Sequence, residues 1–160
     1  MKDMLSVSSD LPERVFQVGE VVVREGEAGD GIWVLVSGAL QVSKGGALVN
    51  TINRPGSLVG EISVLLDVPF SATVQATERS VLRHAVDGHA LLRRHPDITM
   101  LVAKGLAERL NFVTTYLADL KLQYGDAPGL TMVSKVLQRL GHRQGPAARP
   151  GSARDPDAEY

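Results

Sequence analysis

Few side chains in this sequence are placed to do chemistry. The four histidines stand at 84, 89, 95 and 142, and none has the spacing of a metal pair such as His-x-His or His-Glu-x-x-His. A cupin-type metalloenzyme would cluster His and Glu on strands, and only His84 falls in a strand-like stretch. Glu25, Glu27 and Asp30 lie close together, but not at the spacing of a calcium loop; they read as solvated turn acids. There is no cysteine, hence no thiolate and no disulfide framework. No Ser/His/Asp set and no paired carboxylates stand out, so we expect no catalytic residues, no metal and no enzyme activity. What remains is the run from Pro55 to Val74. In it Glu61 follows Gly60, and an acid there is of the kind the macrodipole favours at a helix N-terminus. Phe70 follows Pro69, and Ser71 and Thr73 add hydroxyls on a strand-like segment.

The surrounding elements follow from apolar period and punctuation. Residues 1–14 read as a polar N-terminal segment, with Ser9 or Asp10 capping a brief turn at Leu11-Pro12-Glu13. From Val15 to about residue 86, short strands alternate with glycines. Val21-Val22-Val23 is β-branched, and Ile32 to Val36 is a continuous apolar run of the kind buried on both faces. Leu40 to Ser43, the turn Lys44-Gly45-Gly46-Ala47 and Leu48 to Ile52 read as a hairpin. Ser71 to Ala76 and Ser80 to Ala85 are two more strands, and the even spacing predicts a closed all-β unit. Helical period then takes over. Gly88 to Arg94 predicts a short helix, and Pro96 opens a long one to Tyr124. Its residues Ala103, Leu106, Leu110, Val113, Leu117, Leu120 and Tyr124 form a heptad seam. That seam is read equally as a coiled-coil face or as packing on the helix's own barrel. A last short helix is expected over 130–141, and residues 142–160 read as a disordered tail.

Residues 55–74 resemble the phosphate-binding cassette of the cyclic-nucleotide-binding domain family. That family includes catabolite-activator-type regulators, cyclic-nucleotide-gated channels and the regulatory subunit of cAMP-dependent protein kinase. Its Gly-Glu pair opens a short helix, and an Arg follows nine residues after the Glu, just after a Pro. Here Gly60, Glu61 and Pro69 stand in register, but Phe70 holds the Arg position. The likeness extends from about Val15 to Leu120, through Phe16 to Glu20, Glu25 to Asp30, Ile32 to Gly38 and Arg54-Pro55-Gly56.

The resemblance implies an α+β fold, a jelly-roll-like β-barrel with a long C-terminal helix and a short final helix. It implies a domain over 15–124, with the barrel at about 15–86 and helices at 88–124. It places Gly60, Glu61, Ile62, Ser63, Phe70, Ser71, Ala72 and Thr73 at the ligand. Backbone N–H groups of Glu61, Ile62 and Ser63 would face a cyclic phosphate, and Glu61 would accept a bond from the ribose 2′-hydroxyl. Val113 and Thr114 would approach the base from the long helix. An equal reading of Thr114 is a hydroxyl bonded back to its own helix. Phe70 can neither neutralise nor hydrogen-bond a phosphate. It fills part of the pocket as core, or floors an apolar pocket for another ligand. Arg54, Arg79 and Arg83 are the cations that neighbouring strands would offer instead.

Composition sets the remaining expectations. Hydrophobic residues are 44% and charged residues 22% of 160, enough apolar material for one core. Net charge is −1, which predicts no nucleic acid and no membrane as a charge-driven partner. No signal peptide or membrane span is apparent, so a cytoplasmic location is expected. The residues after Tyr124 are too few for the DNA-binding winged helix of the family's activators. The expected protein is a small-molecule sensor for cAMP or cGMP, without a cofactor, weakened by the missing Arg. It would be a homodimer through the long helix, with Leu117 and Leu120 in contact, acting on a protein effector. The alternative is a degenerate domain that binds no cyclic nucleotide and serves as a dimeric interaction module.

Overall fold

The computed structural model describes residues 3–125 and 130–142. The chain divides into two compact units, residues 1–105 and residues 106–160.

The first unit begins with α1, Met4–Val7. The sequence reading missed this helix and looked for a cap at Ser9 or Asp10. The cap is Asp3: its carboxylate accepts from the Ser6 N–H at 2.8 Å, and the Asp3 N–H donates to Ser6 Oγ at 3.2 Å. The reciprocal pair satisfies two otherwise orphaned donors in a helix of one turn.

Eight strands follow: β1 Glu13–Phe16, β2 Val21–Val23, β3 Ile32–Ser37, β4 Leu40–Lys44, β5 Ala47–Ile52, β6 Leu58–Val59, β7 Thr73–Ala76 and β8 Ser80–Ala85. The first strand therefore begins two residues before the expected start of the barrel at 15. The strands make two four-stranded sheets, β1-β8-β3-β6 and β2-β7-β4-β5, with every pairing antiparallel. The fold is the expected jelly roll, but the barrel does not close: the two sheets face each other as layers. The hairpin turn forms as its glycines predict, with Gly45 at φ 57° and Gly46 at φ 81°, a conformation that a Cβ would oppose.

Alternation along the strands builds the core between the layers. Phe16, Val23, Trp33, Leu35, Leu40, Val59, Val74, Ala76 and Leu82 form one buried cluster. In β3 the four residues Ile32 to Leu35 are all buried, as a continuous apolar run requires. Trp33 receives Phe16 edge-on, with centroids 5.3 Å apart, and stacks on His84 at 3.7 Å and 8°. Burial holds His84 below its ordinary basicity, and the positive charge of Arg14 adds to this.

Three helices cover the sheets: α2 Glu61–Leu66, α3 Gly88–Arg94 and the start of α4 Pro96–Tyr124. In α4 the inward stripe is Ile98 and Val102, 1% and 3% exposed. This shifts the reading of the heptad seam. Ala103, its first member, is exposed, because Val102 one position earlier already takes the inward direction.

The second unit holds the rest of α4 and α5, Thr131–His142. Along the seam Leu106, Leu117 and Leu120 are half-buried, while Leu110 and Val113 are 51% and 45% exposed. The disorder expected for 142–160 falls, apart from the last residue of α5, outside the described residues. No helix among the described residues is long and apolar enough to cross a membrane.

Candidate ligand-binding site

Gly60 is the N-cap of α2 and sits at φ 94°. Two facts demand glycine there. The left-handed conformation is open to it at no steric cost, and a Cβ would stand 2.5 Å from the Gly31 carbonyl oxygen. The chain can then turn straight into a helix whose first residues point their N–H groups back along the axis. Glu61, Ser63 and Val64 are buried, at 3%, 4% and 1% exposure, and Ile62 is half-buried. The helix ends at Asp67, whose φ of 53° makes it the one described non-glycine residue with positive φ. Asp67 Oδ1 lies 2.9 Å from His89 Nε2, which ties the end of α2 to the first turn of α3.

Phe70 is where the two halves of the site meet. Its N–H donates to Glu27 O at 3.0 Å, and its carbonyl accepts from the Gly26 N–H at 2.8 Å. The acidic turn of residues 25–30 is thereby clamped onto the segment after α2. The Glu25 N–H donates to Thr73 Oγ1 at 3.0 Å, extending the clamp into β7. The Phe70 ring packs on the sheet core and lies flush against Gly29, so that a Cβ on Gly29 would overlap Cε2 and Cζ. On its other edge, Cε1 is 3.4 Å from the place of a Cβ on Gly60. The ring therefore stands beside the N-cap of α2, on a floor of two glycines.

The structure thus gathers Gly60, Glu61, Ile62, Ser63, Phe70, Ser71, Ala72 and Thr73 on one continuous segment, with the acidic turn fastened to it. Ser71 is exposed and Ala72 and Thr73 are half-buried. The Thr73 hydroxyl is already engaged by Glu25. Thr114 is a half-buried residue of α4 in the second unit.

The three arginines considered as substitutes for the missing cation divide clearly. Arg83 is committed elsewhere: it donates from Nη1 to Leu5 O at 2.6 Å and from Nε to Glu13 Oε1 at 3.2 Å. Arg54 and Arg79 are exposed. Arg24, nearer in sequence to the acidic turn, faces Glu27 at 3.9 Å, with both side chains largely in water. Sequence reasoning missed the docking of Arg83 on α1 because α1 itself was missed. It also missed the His89 link to Asp67, for which residue spacing carried no signal.

Residues 13–88 match the family model described as the cyclic nucleotide-binding domain. The chain is 37% identical over 92 residues to the cAMP-dependent protein kinase type II regulatory subunit of Drosophila melanogaster, covering 58% of this chain and 24% of that protein. It is 31% identical over 145 residues to a CRP-like cAMP-activated global transcriptional regulator of Mycobacterium tuberculosis, covering 84% of this chain and 62% of that protein. The chain therefore spans under a quarter of the kinase subunits it matches. Among solved structures, the Thermus thermophilus catabolite activator protein aligns with a TM-score of 0.61 at 24% identity, over 85% of this chain and 79% of that one. The structure of PKAR CBD2 bound to Sp-2Cl-cAMPS aligns with a TM-score of 0.53 at 24% identity, over 69% of this chain and 87% of that one. These two likenesses speak for the fold. Residues 13–88 are thus similar in sequence to the cyclic nucleotide-binding domain, and the chain shares the fold of these solved structures.

Proposed function

We propose that the domain is a low-affinity cyclic-nucleotide sensor that signals to a protein partner. The observation that carries this reading is Phe70. Its aromatic ring, not a cation, stands beside the N-cap of α2. The start of α2, Glu61 to Ser63, is the part of the site whose backbone N–H groups would face a cyclic phosphate. Removing one partner of a buried, hydrogen-bonded charge pair costs about 2–5 kcal/mol, or about 30-fold to several thousand-fold in affinity. The ligand classes assigned are cAMP and cGMP, whose phosphate and ribose would meet Gly60 to Ser63. The chain's charge balance, 17 basic against 18 acidic residues, supports a protein rather than DNA as its output. Pairing of two copies along α4 is part of this reading, since Leu110 and Val113 offer apolar surface there.

The test is calorimetric titration of cAMP and cGMP into the purified protein. The expected dissociation constant is on the order of 100 μM or weaker. Sub-micromolar binding would sink the low-affinity claim.

A second reading is favoured by one specific contact. The Phe70 ring is packed on core side chains and on Gly29. In this reading the ring fills the pocket, and the domain is an interaction module without a nucleotide. Absence of heat at millimolar ligand would select it.

A further inference from the structure

The two sheets leave a seam where their edge strands meet. β1 ends one sheet and β2 ends the other, and residues 17–20 carry the chain between them. A cleft of about 320 Å³ opens there. Its lining takes Arg14 from β1, Glu20 from the turn, Val21 to Val23 from β2, and Arg24 and Glu27 from the segment that follows. It shares no lining residue with the candidate nucleotide site, so what it binds is a separate question. Val23 is buried and Val21 and Val22 are half-buried, whereas the four charged residues are exposed. The cleft thus sets an aliphatic strand among two charges of each sign.

Those charges are unequally committed. Glu20 Oε2 accepts from the Gln17 N–H at 2.6 Å. Arg24 and Glu27 face each other at 3.9 Å with both side chains largely in water, a contact of little energy that a ligand can replace. Arg14 holds its guanidinium carbon 4.7 Å from the centroid of the Phe16 ring, and no carboxylate pairs with it among the described residues. A cation held over a ring keeps its N–H donors for other partners. We propose that this cleft binds a small aliphatic α-amino acid. Arg14 takes the carboxylate with its forked donors, Glu27 takes the ammonium, and the valines of β2 take the side chain. The balance of charge selects this class. A simple anion would be repelled by Glu20 and Glu27, and an amine by Arg14 and Arg24. A zwitterion engages both signs at once, and the apolar strand adds a use for its side chain. The small volume suits a ligand of this size. Because the charges lie in water, binding is weak, with a dissociation constant on the order of 1 mM.

The test is titration of leucine into the isotope-labelled full chain, followed by backbone amide NMR. The proposal expects saturable shifts centred on Arg14 and on Val21 to Val23. Isocaproate, which lacks the ammonium, isoamylamine, which lacks the carboxylate, and glycine, which lacks the apolar side chain, should each bind about three- to fivefold more weakly or less tightly still. Arg14→Gln and Glu27→Gln should lower leucine affinity by a similar factor, and Glu27→Gln does so with the backbone bond from Phe70 to residue 27 in place. The amide spectrum of each variant shows whether it folds. Should Arg14→Gln unfold, Arg14→Lys keeps the charge, loses the fork and should still weaken binding. The absence of saturable shifts at tens of millimolar leucine overturns the proposal, as do shifts centred elsewhere. Isocaproate binding as tightly as leucine overturns it too, and would assign the cleft to simple anions.

Discussion

The ring of Phe70 occupies the space that any side chain on Gly29 would need. One residue belongs to the acidic turn and the other follows the cassette helix, and the backbone bonds between Phe70 and residues 26 and 27 hold them in register. A departure at one position of the site is thereby matched by the absence of a Cβ at another.

Gly29→Ala should therefore displace the ring. Overpacking of this kind costs about 1–3 kcal/mol. Chemical denaturation should show the loss, and the cost should shrink in the double variant with Phe70→Ala, where the overlap is gone. Additive effects in that cycle would contradict the contact.

Phe70→Arg should restore a cation beside Gly60. We expect cAMP affinity to rise about tenfold or more by calorimetry. An Arg variant that folds and gains nothing would mean that the pocket is closed to phosphate.

His84 should make stability pH-dependent. Partial burial against Trp33, and then the charge of Arg14, hold it below its ordinary value of 6.5 in the folded state. The unfolded chain therefore takes up a proton at a higher pH than the folded one. Its contribution is fully present above about pH 6.5 and is lost as pH falls through the window between that value and the lower folded one. Urea midpoints measured from pH 7 down to pH 5 should decline, and His84→Gln should flatten the decline. An unchanged slope in the variant would assign the acid sensitivity to other groups.

The seam of α4 should hold two copies together. Leu117→Asp combined with Leu120→Asp would place like charges across a two-fold axis, which is strongly unfavourable. Light scattering is expected to report a dimer for the natural chain and a folded monomer for the double variant. A natural chain that is monomeric at all concentrations defeats the idea, and a variant that unfolds shows that the half-buried leucines serve the protomer.

Much of the fold was legible because its signals are local. Glycines at 45 and 46 supply backbone that other residues resist, so the hairpin could be placed from its turn, while the start of α2 at Gly60 followed from the family resemblance. The continuous apolar run of β3 and the period of α4 were equally direct. The rest depended on partners distant in the chain. Nothing near Asp3 announces a one-turn helix, since its capping partner is a serine instead of the usual Glu or Gln. Two-residue β6 is defined by its pairing with Trp33 and Val34 alone. The Phe70 position was visible as a departure, but where its ring would rest was not. That depends on Gly29, a residue brought to it by the fold.

The order of strands in the first sheet has a consequence for how the chain is made. β8 is the last strand to leave the ribosome, yet it lies in the interior of the sheet, paired with β1 on one side and β3 on the other. Arg83 on that strand also anchors Leu5. Until residues 80–85 emerge, β1 has no partner, Trp33 lacks the ring that stacks on it, and α1 lacks its hydrogen bond from Arg83. The nascent chain must carry these segments unpaired across a sequence separation of up to 78 residues before they close. Such long-range closure is slow relative to helix formation. The β4–β5 hairpin, by contrast, turns across two glycines and is free to form during synthesis.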